Sequence, residues 1–167
     1  MDKRILSLLS MVLAVMSIAN VNAVEQGATR PDCLLKAFNG GQTYPLKSLQ
    51  GKVLYIDFWA SWCGPCAKSF PFLNSLHSDL NARGLQIVGI NLDENASDAH
   101  GFLAKYPANF SISADNNEQC AQAFGVKAMP SSYLIDRKGI VRKVHLGFRA
   151  DEAEELKVLV EKLLAEQ

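Results

Sequence analysis

Apolar residues along this chain fall into runs whose spacing alternates between continuous stretches and recurrences of three to four. Val53-Leu54-Tyr55-Ile56-Asp57-Phe58-Trp59 is a β-branched and aromatic run that reads as a buried strand, ending at the short turn Ala60-Ser61-Trp62. Phe70, Leu73, Leu76 and Leu80 then recur at helical spacing, so Ala67 to Ala82 continues a helix begun at Cys66. Pro71 falls inside it and removes a backbone bond at a usual cost of about 3 kcal/mol, which predicts a bend. Gly84 ends the helix, and Leu85 to Leu92 is a second buried strand. Strand, helix and strand in succession imply a right-handed parallel crossover.

Further on, the pattern predicts a helix over 96–106, a short strand over 110–112 and a helix over 117–124 closed by Gly125. Two β-prone runs, 131–136 and 140–146, flank Arg137-Lys138-Gly139 and read as an antiparallel hairpin. The last helix has Asp151 as its cap, Glu152, Glu154 and Glu155 in its first turns, and Leu156, Leu159, Val160, Leu163 and Leu164 on one face. Upstream, runs over 31–38 and 42–46 flank Asn39-Gly40-Gly41 as a first hairpin. The fold class is α/β, a mixed central sheet flanked by helices.

Composition narrows the classes of partner. The chain has 167 residues, 17 basic and 17 acidic, with 49% hydrophobic, enough for one well-filled domain and against a nucleic-acid partner reached by bulk electrostatics. Met1-Asp2-Lys3-Arg4 is a basic-ended start, Ile5 to Ala19 is apolar, and Val21-Asn22-Ala23 has the small residues of a cleavage site. Residues 1–23 are therefore expected to be a cleavable export signal, 24–30 a linker and 31–167 a single domain. An uncleaved anchor is the alternative. Either reading puts the domain outside the cytoplasm, in the periplasm.

The chemistry is concentrated at Cys63-Gly64-Pro65-Cys66, where a strand hands over to a helix. The free N–H groups and macrodipole of a helix start favour negative charge. A thiol there can fall from about 8.5 to roughly 3.5–7.5, which makes Cys63 an attacking group. Cys66, one turn later, can resolve the mixed disulfide, so the pair completes two-electron exchange with no cofactor. Pro65 suits the first helical turn. Zinc wants four ligands and finds no second pair; covalent haem needs histidine where Ala67 stands. The Cys-X-X-X-Cys-Pro of Sco copper chaperones and the single-cysteine setting of a peroxiredoxin are also missing.

Asp-Phe-Trp-Ala-Ser-Trp-Cys-Gly-Pro-Cys, together with the later Met129-Pro130, resembles thioredoxin and more closely its TlpA/ResA-like branch, over roughly residues 30 to 165. The resemblance implies a thioredoxin-like fold with an N-terminal β-hairpin and a central αβ insertion, and protein thiol–disulfide exchange as the activity. It also implies that Met129-Pro130 is a cis-proline loop facing the dithiol and offering backbone to a substrate peptide, against the alternative of a trans proline opening a strand. Cys33 stands where the relatives commonly have an aromatic.

Other residues carry two readings each. Asp57, on the buried strand, is either a structural polar contact or, as it matches the buried aspartate of thioredoxin, the group that takes the proton from Cys66. Most TlpA/ResA-like members have asparagine there. Glu94 matches an acidic residue that the ResA-like group places near its cysteines, with Asp93 beside it as an ordinary exposed carboxylate. Trp62 is expected to cover one flank of the site and Trp59 to be core. Cys33 and Cys120 are a remaining pair, either a structural disulfide or two buried thiols. His77, His100 and His145 fall at no ligand spacing and are expected at the surface.

The spacing of the cysteines defines the redox couple but not its poise, and the direction of exchange is implied only by resemblance. Gly-Pro resembles the reducing thioredoxins, near about −270 mV, rather than oxidising enzymes near about −120 mV. By resemblance, electrons would come from a membrane thiol carrier of the DsbD/CcdA kind. The clients would be exported proteins whose cysteines are kept reduced for metallation, in cytochrome c maturation or copper and oxidase assembly. A monomer is expected. The rival readings are an oxidase or isomerase, separable by potential, and a redox-inert module that only binds partners.

Overall fold

The structure, a computed structural model, describes residues 23–115 and 117–166. The expected export signal lies, but for Ala23, outside the described residues. Among these residues, seven strands form one sheet: β1 (Leu34–Ala37), β2 (Thr43–Pro45), β3 (Val53–Trp59), β4 (Leu85–Asn91), β5 (Ser111–Ala114), β6 (Ser131–Ile135) and β7 (Val141–Leu146), in spatial order β2-β1-β5-β4-β3-β6-β7. β3, β4 and β5 run parallel to one another; β6 and β7 add antiparallel on one side, and the β1–β2 hairpin joins antiparallel through β5 on the other. This is a mixed α/β thioredoxin-like sheet, and the inserted β5 is what attaches the N-terminal hairpin.

Among the described residues, four α-helices cover the two faces: α1 (Gly64–Leu80), α2 (Ala96–Lys105), α3 (Gln119–Phe124) and α4 (Ala153–Ala165). Alternation along β3 separates the two cores. Val53, Tyr55 and Trp59 pack with Cys66, Phe70, Leu73 and Leu76 of α1, Phe102 of α2 and Val160 of α4. Leu54, Ile56 and Phe58 pack on the opposite face with Cys120, Ala121 and Phe124 of α3. Trp59 meets Phe70 edge-on at 5.2 Å between ring centroids, and burial of an apolar side chain such as Phe70 or Leu73 contributes about 1.5–3 kcal/mol. Asp57, two residues from Tyr55 and from Trp59, shares their face, which is the face of the dithiol.

The structure departs from the sequence pattern where a local contact outweighs periodicity. Residues 24–30, expected as a linker, lie against the sheet edge: Gly27 N–H donates to the Val141 carbonyl at 2.7 Å, Arg30 N–H to Gly139 at 2.8 Å, and Thr29 bridges Ile140. α3 starts at Gln119 rather than Asn117, because Asp115 accepts the Ala121 N–H on its side chain and the Glu118 N–H on its carbonyl, holding a turn ahead of the helix. Asp151 does not cap α4: it sits in a 3₁₀ turn over 150–152 and pairs with Arg149. His145 is buried, not at the surface, because its strand position turns it toward Glu152, with Nε2 and a carboxylate oxygen 3.4 Å apart. α1 runs from Gly64 to Leu80 with Pro71 inside it on an exposed position.

Cys33 and Cys120 are bonded, joining the chain just before β1 to α3 with their Cα atoms 5.3 Å apart. The bridge spans 87 positions, a loop whose closure is worth roughly 4–5 kcal/mol in the chain-entropy account. No helix among the described residues is long and apolar enough to cross a membrane.

Candidate redox site

β3 ends at Trp59, and the turn Ala60–Cys63 closes with the Cys63 N–H donating to the Ala60 carbonyl at 3.1 Å. Cys63 is the N-cap of α1, and Pro65 occupies the first turn, where its missing N–H costs nothing. The Cys66 N–H points back at Cys63 Sγ, 3.2 Å away. A backbone donor aimed at this sulfur, at the positive end of a helix, favours the thiolate when the pair is reduced. Cys63 and Cys66 are disulfide-bonded in this structure. Cys63 keeps 4% of its surface and Cys66 none, so an incoming disulfide can reach only the first sulfur.

Around the dithiol, Trp62 stands 73% exposed between two grooves. One, of about 520 Å³, runs between the tip of α1 and α2 and is lined by Cys63, Ala67, Asp98, Phe102 and Lys105 among others. The other, of about 550 Å³, is lined by Trp62, Leu92, Ala121, Val126 and Met129. Met129–Pro130 is a cis peptide. Met129 packs against the core cluster containing both cysteines, and the Pro130 carbonyl accepts the Gly147 N–H at 2.8 Å.

Asp57 is 1% exposed and sits between Gly89 of β4 and Ser132 of β6 in the strand register. Ser132 Oγ donates to its Oδ1 at 2.6 Å, while Oδ2 is buried with no hydrogen-bond partner among the described residues. Burial pushes the Asp57 carboxyl up to about 7, against the Ser132 hydrogen bond, which pulls it down. A carboxyl that gains and loses a proton near neutrality suits general acid–base work.

The structure brings Cys63, Cys66, Trp62 and Met129 together, with Pro130 next to Met129 in the chain, and puts Asp57 on the same sheet face. Glu94 is exposed and lines neither groove. Its neighbour Asp93, expected to be the exposed one, is 4% exposed and accepts from Ser61 N–H and Ser61 Oγ. The reversal has a plain cause: the turn ahead of Cys63 has free donors, and the residue two positions past the end of β4 is the one that reaches them. Cys33 and Cys120 lie on the far face, with Cys120 inside α3. Sequence reasoning missed Ser132, although its position two residues past Pro130 on a strand was the available signal.

The Redoxin family profile matches residues 25–161. The thiol-disulfide oxidoreductase ResA of Bacillus subtilis is 32% identical over 129 residues, 77% of this chain and 72% of that protein. ResA of Geobacillus thermodenitrificans is likewise 32% identical, over 78% of this chain and 74% of that protein. Among solved structures, one described as the thiol:disulfide interchange protein DsbE from Chlorobium tepidum superposes with a TM-score of 0.80 at 41% identity, covering 86% of this chain and 100% of that one. Another, described as a protein disulfide isomerase from Bacteroides thetaiotaomicron, gives 0.76 at 29% identity over 86% and 92%.

Proposed function

The chain belongs to the Redoxin family as a thioredoxin-like thiol–disulfide oxidoreductase related to ResA, and from that premise we propose that it reduces disulfides of exported client proteins through Cys63 and Cys66. The observation that carries this reading is that, of the Cys63–Cys66 pair, Cys63 is the accessible sulfur, at a helix tip with a backbone N–H directed at it.

In the reduced protein the Cys63 thiolate attacks one sulfur of the client disulfide, and the other client sulfur leaves as a thiolate. Cys66 then loses its proton to Asp57 and attacks Cys63 Sγ. The mixed disulfide breaks, the client departs as a dithiol with two electrons gained, and the Cys63–Cys66 bond seen here remains. Trp62, Met129 and Pro130 hold the client segment beside Cys63. Glu94, exposed at the β4 end, is an outer acidic group on the approach to the site.

Residues 1–23 supply export to the periplasm, where a membrane dithiol donor of the DsbD/CcdA kind recharges the pair. The clients are cysteine pairs kept reduced for metallation, in cytochrome c maturation or copper and oxidase assembly. A Cys66→Ser variant, unable to resolve, is expected to retain its client as a mixed disulfide on Cys63, identified by mass spectrometry; recovery of no Cys63-linked protein in the native host overturns the reading. The relative described as a disulfide isomerase favours one alternative direction, and a strongly oxidising potential in a glutathione buffer would establish it.

A further inference from the structure

The C-terminal ends of β3, β4 and β5 carry a strip of buried polar groups that the thiol chemistry above does not use. Asp93 takes the Ser61 N–H on both carboxylate oxygens, at 3.1 and 2.9 Å, and Ser61 Oγ at 2.9 Å. Asn91, 1% exposed, donates from Nδ2 to Asp93 Oδ2 at 2.7 Å, and the Asp93 N–H donates back to Asn91 Oδ1 at 3.2 Å. The Asn91 carbonyl accepts the Asp115 N–H at 3.0 Å, and Asp115 Oδ2 accepts the Ala121 N–H of α3 at 2.8 Å. One chain of hydrogen bonds thus runs from the turn ahead of Cys63 to α3. Trp62 at its start and Ala121 at its end line the same groove.

A carboxylate stays buried only where donors converge on it, and a charged acceptor makes bonds roughly twice as strong as a neutral one. Ser61 is the second residue of the Ala60–Cys63 turn, so its N–H faces out of the turn's own hydrogen bond and is open to an outside acceptor. Asp93 is that acceptor. Without it the turn is held by the Cys63–Ala60 bond alone at this point, and Trp62 and Cys63 follow it directly.

We infer that Asp93 is a positioning residue of the redox site, holding the Ala60–Cys63 turn so that Trp62 and Cys63 meet an incoming disulfide in one orientation. This role rests on the reading of Cys63 as the attacking sulfur. Displacing a reacting group by 1 Å can cost about a hundredfold in rate, so the expected effect is large although Asp93 touches no substrate.

The test uses the reduced full-length chain with oxidised glutathione as probe. Asp93→Ala is expected to slow reaction at Cys63 at least about tenfold. Asp93→Asn, which keeps an acceptor oxygen for Ser61, recovers most of the rate. Hydrogen exchange at the Ser61 amide reports the contact itself: protected in the parent and in Asp93→Asn, unprotected in Asp93→Ala. Parent-like rates in a folded Asp93→Ala, or an unprotected Ser61 amide in the parent, overturn the assignment. Should Asp93→Ala not fold, Ser61 protection in the parent and a slower Ser61→Ala decide it. A parent chain that does not react with oxidised glutathione strikes the redox reading instead, and leaves Ser61 protection to judge Asp93.

Discussion

Ser132 Oγ donates to Asp57 Oδ1 at 2.6 Å across the β3–β6 pair, and this is the hydrogen bond that the structure supplies to a carboxyl buried on the dithiol face. Its second oxygen is buried without a hydrogen-bond partner among the described residues. A charge in that position is costly, and the cost is measurable.

The folded protein binds a proton on Asp57 more readily than the unfolded chain does, between the ordinary 3.8 and about 7. Stability from this group therefore declines as pH rises through that window, by about 4 kcal/mol at its upper end. Asp57→Asn is expected to be more stable than the parent by up to that amount at pH 8 and nearly equal to it at pH 4. Urea unfolding of the disulfide-bonded forms at the two pH values checks this, and a difference independent of pH would contradict it.

Ser132→Ala removes the hydrogen bond that pulls the Asp57 carboxyl down. The carboxyl then moves further up, and the pH profile for release of the mixed disulfide shifts to more alkaline values while the attack by Cys63 is unaltered. Stopped-flow measurement of the two steps separates them. Asp57→Asn abolishes that shift, so the double variant follows the single one.

The far-side bridge is expected to act on stability rather than on exchange. Replacing both Cys33 and Cys120 by alanine lowers unfolding free energy by about 2–5 kcal/mol and leaves the rate of reaction at Cys63 within about a factor of three of the parent. Chemical denaturation paired with a glutathione assay gives both numbers.

Gly89 lies beside Asp57 in the strand register, and a Cβ there would stand 2.9 Å from Ile112 Cδ1, 3.1 Å from a Phe110 ring carbon and 3.2 Å from Trp59 Nε1. The Ile112 tip can swing away, but two rings cannot both yield in a packed core. Gly89→Ala is expected to cost about 1–3 kcal/mol, seen as a drop of several degrees in melting temperature; a parent-like melting curve would show that the rings do yield.

The parts legible in the sequence were those set by short-range pattern. The unbroken apolar runs of β3 and β4, the helical spacing of Phe70, Leu73 and Leu76, and the spacing of Cys63 and Cys66 each follow from residues within one turn or strand of one another. Ser132 could not be read this way, because its contact with Asp57 depends on β6 lying beside β3, 75 positions away. Asp93 and Glu94 are a sharper case. Both are acidic residues just past a strand, and only the unmet donors of a turn 32 positions earlier decide which one is drawn inward.

The bridge from Cys33 to Cys120 encloses the Cys63–Cys66 pair within its loop, one of three ways in which four cysteines can be joined. A ribosome delivers Cys33 first, then the two middle cysteines, and Cys120 only much later. Pairing in order of appearance would weld Cys33 to the middle of the domain and disarm the protein before it was finished. Correct maturation therefore has to wait for nearly the whole polypeptide, or to undo an early mistake.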